Sequence, residues 1–287
     1  MSKIGLSSSI FFVLSSMIIF PSYMNLVQGQ LNSSDDPIRN VTALSNSTGN
    51  ATEVVLQNST VSYFEGAKGY LVFPVRQESN ASKLPAVIMI HEWWGLNNHI
   101  KDMANLLAKE GYVVLAADLY NGKVAADPNE AGNLVQSVRA NQENAITNLK
   151  AGVKYVSSLP IVDKSKIAST GWCFGGGQSL QLALNSQDQP LAATILYYGT
   201  PLVIEKSELS KIKWPVLGIF GDKDQAIPLK QINQFKAALD EIGITNEIHI
   251  YPGIGHAFAN PSGDNYAPKE TQDAWEKTLS FLKRYVS

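Results

Sequence analysis

The sequence is poor in cysteine, with one thiol, Cys173, in 287 residues. A single cysteine excludes an intrachain disulfide framework and any zinc site made of several cysteines. Charge is scarce as well: Asp, Glu, Lys and Arg make up 17% of the chain, against about 25% in typical soluble domains. Basic and acidic residues number 23 and 25, for a net charge of −2, and no long run of Lys or Arg occurs. That balance argues against nucleic acid as a partner. Apolar residues, at 45%, supply a sizeable core and exclude a globally disordered chain. The length allows one or two domains, since single α/β domains run to about 250 residues.

A long apolar run is also missing. The stretch Ser9–Phe20, twelve residues interrupted by Ser15 and Ser16, is too short for a membrane-spanning helix, which needs about 20. With Lys3 ahead of it and Val27-Gln28-Gly29 behind it, residues 1–29 read as an export signal, with Gln30 as the mature start. If the segment is retained, residues 5–28 would anchor the protein to a membrane. Residues 30–60 hold fourteen Asn, Ser or Thr. They cannot bury enough apolar surface to order themselves and read as a flexible tether. Asn32, Asn40, Asn46, Asn50, Asn58 and Asn80 each begin an N-x-S/T sequon, a glycan acceptor in a host that glycosylates. The expected location is extracellular or at the cell surface.

From residue 61 onward the pattern alternates. Val61–Phe64 and Gly69–Val75 read as short edge strands. Ala86–His91, Tyr112–Ala117, Lys166–Trp172, Ala192–Tyr198, Val216–Phe220 and Glu247–Tyr251 read as further strands, several of them continuous apolar runs of the kind covered on both faces. Ile100–Lys109, the second half of Asn129–Ser158, Gln178–Leu184, Leu229–Ile242 and Thr271–Tyr285 have helical spacing. Such alternation implies one mostly parallel sheet with helices on both faces over residues 61–287, and chemistry in the loops beyond the C-terminal strand ends.

Gly171-Trp172-Cys173-Phe174-Gly175-Gly176-Gly177 joins a strand to a helix. It is a G-x-C-x-G nucleophile elbow with sulfur in place of oxygen, and its glycines keep side chains out of a crowded turn. The turn sets the thiol at a helix N-terminus, which favours the thiolate. A buried structural cysteine is the alternative. An elbow needs a later histidine and carboxylate. His91 and His99 precede it, and His249 falls inside a strand. His256 follows that strand in a glycine-flanked loop and is the expected base. Asp224, deep in the loop after Val216–Phe220, is the expected acid, with Asp222 read as a turn former.

The oxyanion donors expected are the N–H of Phe174 and an N–H from the loop after an early strand, assigned to Trp93. His91-Glu92-Trp93-Trp94-Gly95 is not a zinc helix, because position 95 is glycine and the segment ends a strand. Glu92 faces the elbow in this topology and could take the thiol proton or hold it; a carboxylate satisfied by backbone N–H groups is the alternative. Trp93 and Trp94 read as pocket wall or core.

Together these residues resemble the dienelactone hydrolase family of α/β-hydrolases. The match covers most of residues 61–287. It rests on H-E-W-W-G-L at 91–96, Ala117-Asp118-Leu119-Tyr120, the elbow, F-G-D-K-D-Q-A-I-P at 220–228 and G-H-A-F at 255–258. The resemblance implies the α/β-hydrolase fold, a three-layer αβα sandwich. It implies a Cys173–His256–Asp224 triad, with Glu92 contacting the thiol, oxyanion donors at Trp93 and Phe174, and Tyr120 near the pocket. It implies no metal or organic cofactor. Members that hydrolyse dienelactone carry an arginine four residues after the histidine, where it grips the substrate carboxylate; here that position is Asn260. In the segment where another substrate arginine is expected, only Lys123 and Arg139 are basic. The expected activity is hydrolysis of small carboxylic esters or lactones through a thioester, with Trp94, Tyr120 and Asn260 at the substrate. A cell-surface protein that binds a ligand on a hydrolase scaffold without turnover is the rival reading.

Overall fold

The apolar runs Leu84–Ile90 (β3) and Val113–Ala117 (β4) lie side by side inside an eight-stranded sheet. All of β4, and all of β3 except Pro85, is buried, as a parallel pair covered on both faces requires. The structure, a computed structural model, describes residues 54–76 and 82–287. The other elements, in chain order, are β1 (Leu56–Phe64), β2 (Ala67–Pro74), α1 (Asn98–Lys109), α2 (Pro128–Ala140), α3 (Gln142–Ser158), β5 (Val162–Gly171), α4 (Phe174–Leu184), β6 (Ala193–Tyr197), α5 (Lys206–Leu209), β7 (Val216–Gly221), α6 (Leu229–Glu241), β8 (Asn246–Tyr251) and α7 (Pro268–Tyr285). The strand order is β1-β2-β4-β3-β5-β6-β7-β8. The first two pairings are antiparallel and the remainder parallel. With helices flanking the sheet, this is the three-layer αβα sandwich of the α/β-hydrolase fold.

This order positions the site. The chain leaves β3 for β4 on one side and returns to β5 on the other, so the direction of winding reverses between β3 and β5. Open α/β sheets bind ligands at such a switch point, beyond the carboxyl ends of the strands. Glu92 follows β3 and Cys173 follows β5.

Several boundaries differ from the sequence reading. Strand β1 begins at Leu56, so residues 56–60, which composition assigned to the tether, are paired with β2 from Leu56↔Pro74 onward. An antiparallel edge strand needs little apolar surface: Leu56, Val61, Tyr63 and Phe64 are partly buried, and the Asn, Ser and Thr side chains face solvent. The stretch Asn129–Ser158 is two helices, broken at Asn141, whose side chain caps α3 by accepting from Asn144 N. Helix α4 starts at Phe174 rather than Gln178. The expected export signal, the tether up to residue 53 and the sequons other than Asn58 lie outside the described residues. Asn58 is exposed on β1. Among the described residues no helix is long and apolar enough to cross a membrane.

Candidate active site

Cys173 stands between β5 and α4 with φ 55° and ψ −118°. A positive φ is costly for a residue with a Cβ and persists only where surrounding contacts impose it. Here the backbone is clamped on both sides. Cys173 N–H donates to Tyr197 O (3.0 Å), and Cys173 O accepts from Gly177 N (3.1 Å) and Thr200 N (3.2 Å). The elbow glycines are required by space. A Cβ at Gly175 would sit 2.3 Å from Ile90 O, and one at Gly171 would sit 2.3 Å from Gly175 O. The half-buried thiol is thus held at the N-terminus of α4, next to Phe174, where the first-turn N–H groups and the helix dipole favour negative charge.

The loop after β8 brings His256 to it. Nε2 of His256 lies 3.1 Å from Cys173 Sγ, and Nδ1 lies 2.7 Å from Asp224 Oδ2. Asp224, in the loop after β7, is fixed in turn by Ala226 N (2.8 Å) and Ile227 N (3.0 Å), which donate to its Oδ1. Burial alone would depress the His256 pKa. The Asp224 carboxylate and the Cys173 sulfur outweigh it, and the imidazole is raised from 6.5 to about 10. Opposite charges within bonding distance act in this direction. Asp222, read as a former of its own turn, instead accepts from Gly253 N of the neighbouring loop after β8 at 2.7 Å. His249 remains on β8 beside Glu247, away from this group.

Glu92 is buried, at 3% exposure, and its carboxyl is pushed up to about 7 by burial, against the pull of its Asn260 hydrogen bond and the His256 charge. Two expectations change here. The hydrogen-bond partner of the thiol is His256, whereas Glu92 Oε2 accepts from Asn260 Nδ2 at 2.6 Å. Asn260 is itself buried, and its Oδ1 accepts from Ser262 N at 2.9 Å. Both ends of that amide are therefore committed within the protein, so it holds Glu92 rather than presenting a free grip to a substrate.

Phe174 and Trp93 lie where the sequence placed them, at the first residue of α4 and in the loop after β3. Neither N–H has a protein acceptor among the described residues, so both can serve an oxyanion. The wall beside them is aromatic. Trp93 and Trp94 pack at 4.8 Å between ring centroids, Tyr120 packs with tilted rings on His91 (4.6 Å) and Phe174 (5.7 Å), and its hydroxyl donates to Trp93 O at 3.2 Å. Tyr120 is thus a buried wall residue whose hydroxyl is already used.

Sequence reasoning missed the contribution of α2. Its Val135 forms a buried cluster with Tyr120 and Phe174, and Leu134 and Val138 pack against that cluster, as Cys173 does; the signal was their helical spacing inside a mostly polar stretch. Burial lowers the His91 pKa. Its Nε2 accepts from Leu119 N (3.2 Å) and its Nδ1 contacts Glu92 O (2.6 Å). It therefore carries its proton on Nδ1 and braces the Glu92 loop. Arg139, at the end of α2, is close enough for its charge to act on Tyr120. Lys123 faces elsewhere, with Lys68 and Lys101 around a separate hollow of about 210 Å³. Among the described residues no group of three or more His, Cys, Asp or Glu could hold a metal ion.

Residues 68–286 match the model of the dienelactone hydrolase family. The chain is 33% identical over 208 residues to Protein usf of Aquifex pyrophilus, covering 71% of this chain and 89% of that one. It is 35% identical over 243 residues to a Saccharolobus solfataricus protein named "Putative carboxymethylenebutenolidase", covering 69% and 89%. A crystal structure from Klebsiella pneumoniae, described as a "Putative Dienelactone Hydrolase", superposes with a TM-score of 0.68 at 26% identity, covering 82% of this chain and all of the other.

Proposed function

The chain belongs to the dienelactone hydrolase family, and we propose that it hydrolyses uncharged carboxylic esters or lactones with Cys173 as nucleophile, through a thioester. One observation carries the proposal: a thiol on a strained elbow, 3.1 Å from an imidazole that a buried carboxylate holds at 2.7 Å. That is the geometry of an activated nucleophile with an oriented base. The raised His256 pKa means the imidazolium is stabilised as the thiol proton arrives. Because Glu92 is bound to Asn260, His256 is the group placed to take that proton.

The steps follow. His256 Nε2 accepts the thiol proton. Sulfur bonds to the acyl carbon, and the carbonyl electron pair moves to oxygen, where the N–H groups of Phe174 and Trp93 stabilise it. The oxyanion collapses, the carbon–oxygen bond to the leaving group breaks, and His256 returns its proton to the departing alkoxide. Water then attacks the thioester while His256 takes its proton. The acid leaves, and the proton goes back to sulfur. The wall of Trp93, Trp94, Tyr120, Leu134 and Val138 suits an apolar acyl or lactone portion. The commitment of Asn260 to Glu92 supports a substrate without a carboxylate at that position.

The test is alkylation of Cys173 by iodoacetamide across pH. The rate is expected to persist well below the free-thiol pKa of about 8.5; a rate that titrates like an ordinary thiol would contradict the proposal. Export belongs to the same proposal and is supported by the pattern of residues 1–29. Mass spectrometry of the mature N-terminus is expected to find Gln30; an N-terminus at Met1 would leave a retained anchor.

A further inference from the structure

Tyr198, directly after β6, has no task in the steps above, yet the structure spends a good deal on placing it. It is fully buried, and its φ of 37° is one that a bulky side chain adopts only when its surroundings enforce it. Its N–H donates to Ile219 O at 2.6 Å. Its ring meets His256 edge-on at 5.1 Å and Phe258 at 5.4 Å. Despite that burial, its hydroxyl makes no hydrogen bond of normal geometry among the described residues; the backbone N–H of Ala259 approaches its oxygen, which leaves the O–H itself without an acceptor. Its ring thus packs on the loop whose Asn260 holds Glu92; burial raises its pKa well above 10, and the negative charges of Glu92 and Cys173 act in the same direction.

Glu92 has the complementary shortage. An ionised carboxylate accepts about four hydrogen bonds, and Asn260 is its one side-chain donor among the described residues. A buried donor without an acceptor, beside a buried acceptor short of donors, is rare in folded proteins. Glu92 has Asn260 and His256 beside it from the loop after β8, and Tyr198 after β6 within reach of its charge. His91 contacts its backbone. Of these, Tyr198 alone has an unused O–H.

We propose that Tyr198 is a positioning residue for Glu92, its O–H donating to the carboxylate oxygen that Asn260 leaves free, through one buried water or after a small rotation of the Glu92 side chain. Two donors then hold Glu92 ionised beside the Cys173–His256 pair, and that charge favours the imidazolium. This rests on the proposed function, in which Cys173 is the nucleophile.

The test compares Tyr198→Phe, Glu92→Gln and the double variant. The Glu92 carboxyl is titrated by difference infrared spectroscopy with Glu92→Gln as blank, alongside the pH profile of kcat/KM for p-nitrophenyl acetate. In Tyr198→Phe the Glu92 midpoint is expected to rise by roughly one pH unit, the acid limb of kcat/KM to rise with it, and the melting temperature to stay level or increase. A ring-fluorinated tyrosine at 198, a stronger donor, is expected to move the midpoint down. In the Glu92→Gln background the change at 198 has no further effect on the profile. An unmoved midpoint, or a Tyr198→Phe effect that survives without Glu92, overturns the proposal. The infrared titration needs no turnover, so it still reads the Tyr198–Glu92 contact if Cys173 proves not to be the nucleophile.

Discussion

Replacing Cys173 with alanine is expected to remove the proposed esterase and lactonase activity, with kcat falling by at least about 10⁴-fold. The chain has no other cysteine. The alanine methyl leaves His256 Nε2 with nothing to deprotonate, so the acyl group has no nucleophile at the elbow. The N–H groups of Phe174 and Trp93 remain, and with substrate binding they account for whatever rate persists. The fold is expected to survive. The thiol is half-buried at the surface of the site, and the clamp on the elbow is made by backbone groups of residues 173, 177, 197 and 200. Hydrolysis of p-nitrophenyl acetate and circular dichroism of the same preparation separate lost chemistry from lost structure. Undiminished turnover in a folded variant would remove the nucleophile from the account.

Asp224→Asn is expected to cost nearly as much, about 10⁴-fold in kcat, for a reason that can be read atom by atom. Oδ1 of Asp224 accepts from Ala226 N and Ile227 N, and an asparagine must keep its oxygen there. Its NH₂ then points at His256 Nδ1. A donor in that place forces the proton of the neutral imidazole onto Nε2, toward the sulfur, where the base needs a lone pair. The imidazolium also loses its carboxylate. The His256 pKa, now about 10, is expected to fall, since burial is then opposed by Cys173 alone.

The sign for stability follows from linkage. A histidine whose folded pKa lies above its unfolded one stabilises the fold fully below pH 6.5, and the contribution is lost as pH rises through about 10. Asp224→Asn is expected to weaken that dependence. Nitrogen chemical shifts of the His256 ring, with kcat, check both parts; a variant that keeps its proton on Nδ1 and turns over normally would contradict the orienting role.

The parts of the molecule fixed by short-range chemistry were legible in the sequence. Strands β3 and β4 announce themselves because a strand covered on both faces must be apolar throughout. The elbow is legible because only glycine fits at 171 and 175. His256 and Asp224 follow from chain order once the elbow is found. What was not legible depends on distant partners. Residues 56–60 look like tether because their order comes from hydrogen bonding to β2, not from their own composition. Residues 174–177 look too glycine-rich for a helix, yet a Cβ at Gly177 would meet Thr200 O at 2.3 Å, so packing overrides intrinsic propensity. The Glu92–Asn260 contact spans 168 residues of sequence, and no local pattern signals it. The wall from α2 was hidden because three apolar residues among many polar ones are a weak helical stripe.

The most direct measurement is rapid quenching of the enzyme during turnover of p-nitrophenyl acetate, followed by mass spectrometry of its peptides. An acyl group carried on the peptide containing Cys173, formed within the turnover time and lost on neutral hydroxylamine treatment as a thioester is, is the predicted result. Full turnover with Cys173 unmodified throughout, or an acyl group on a different side chain, would contradict the account.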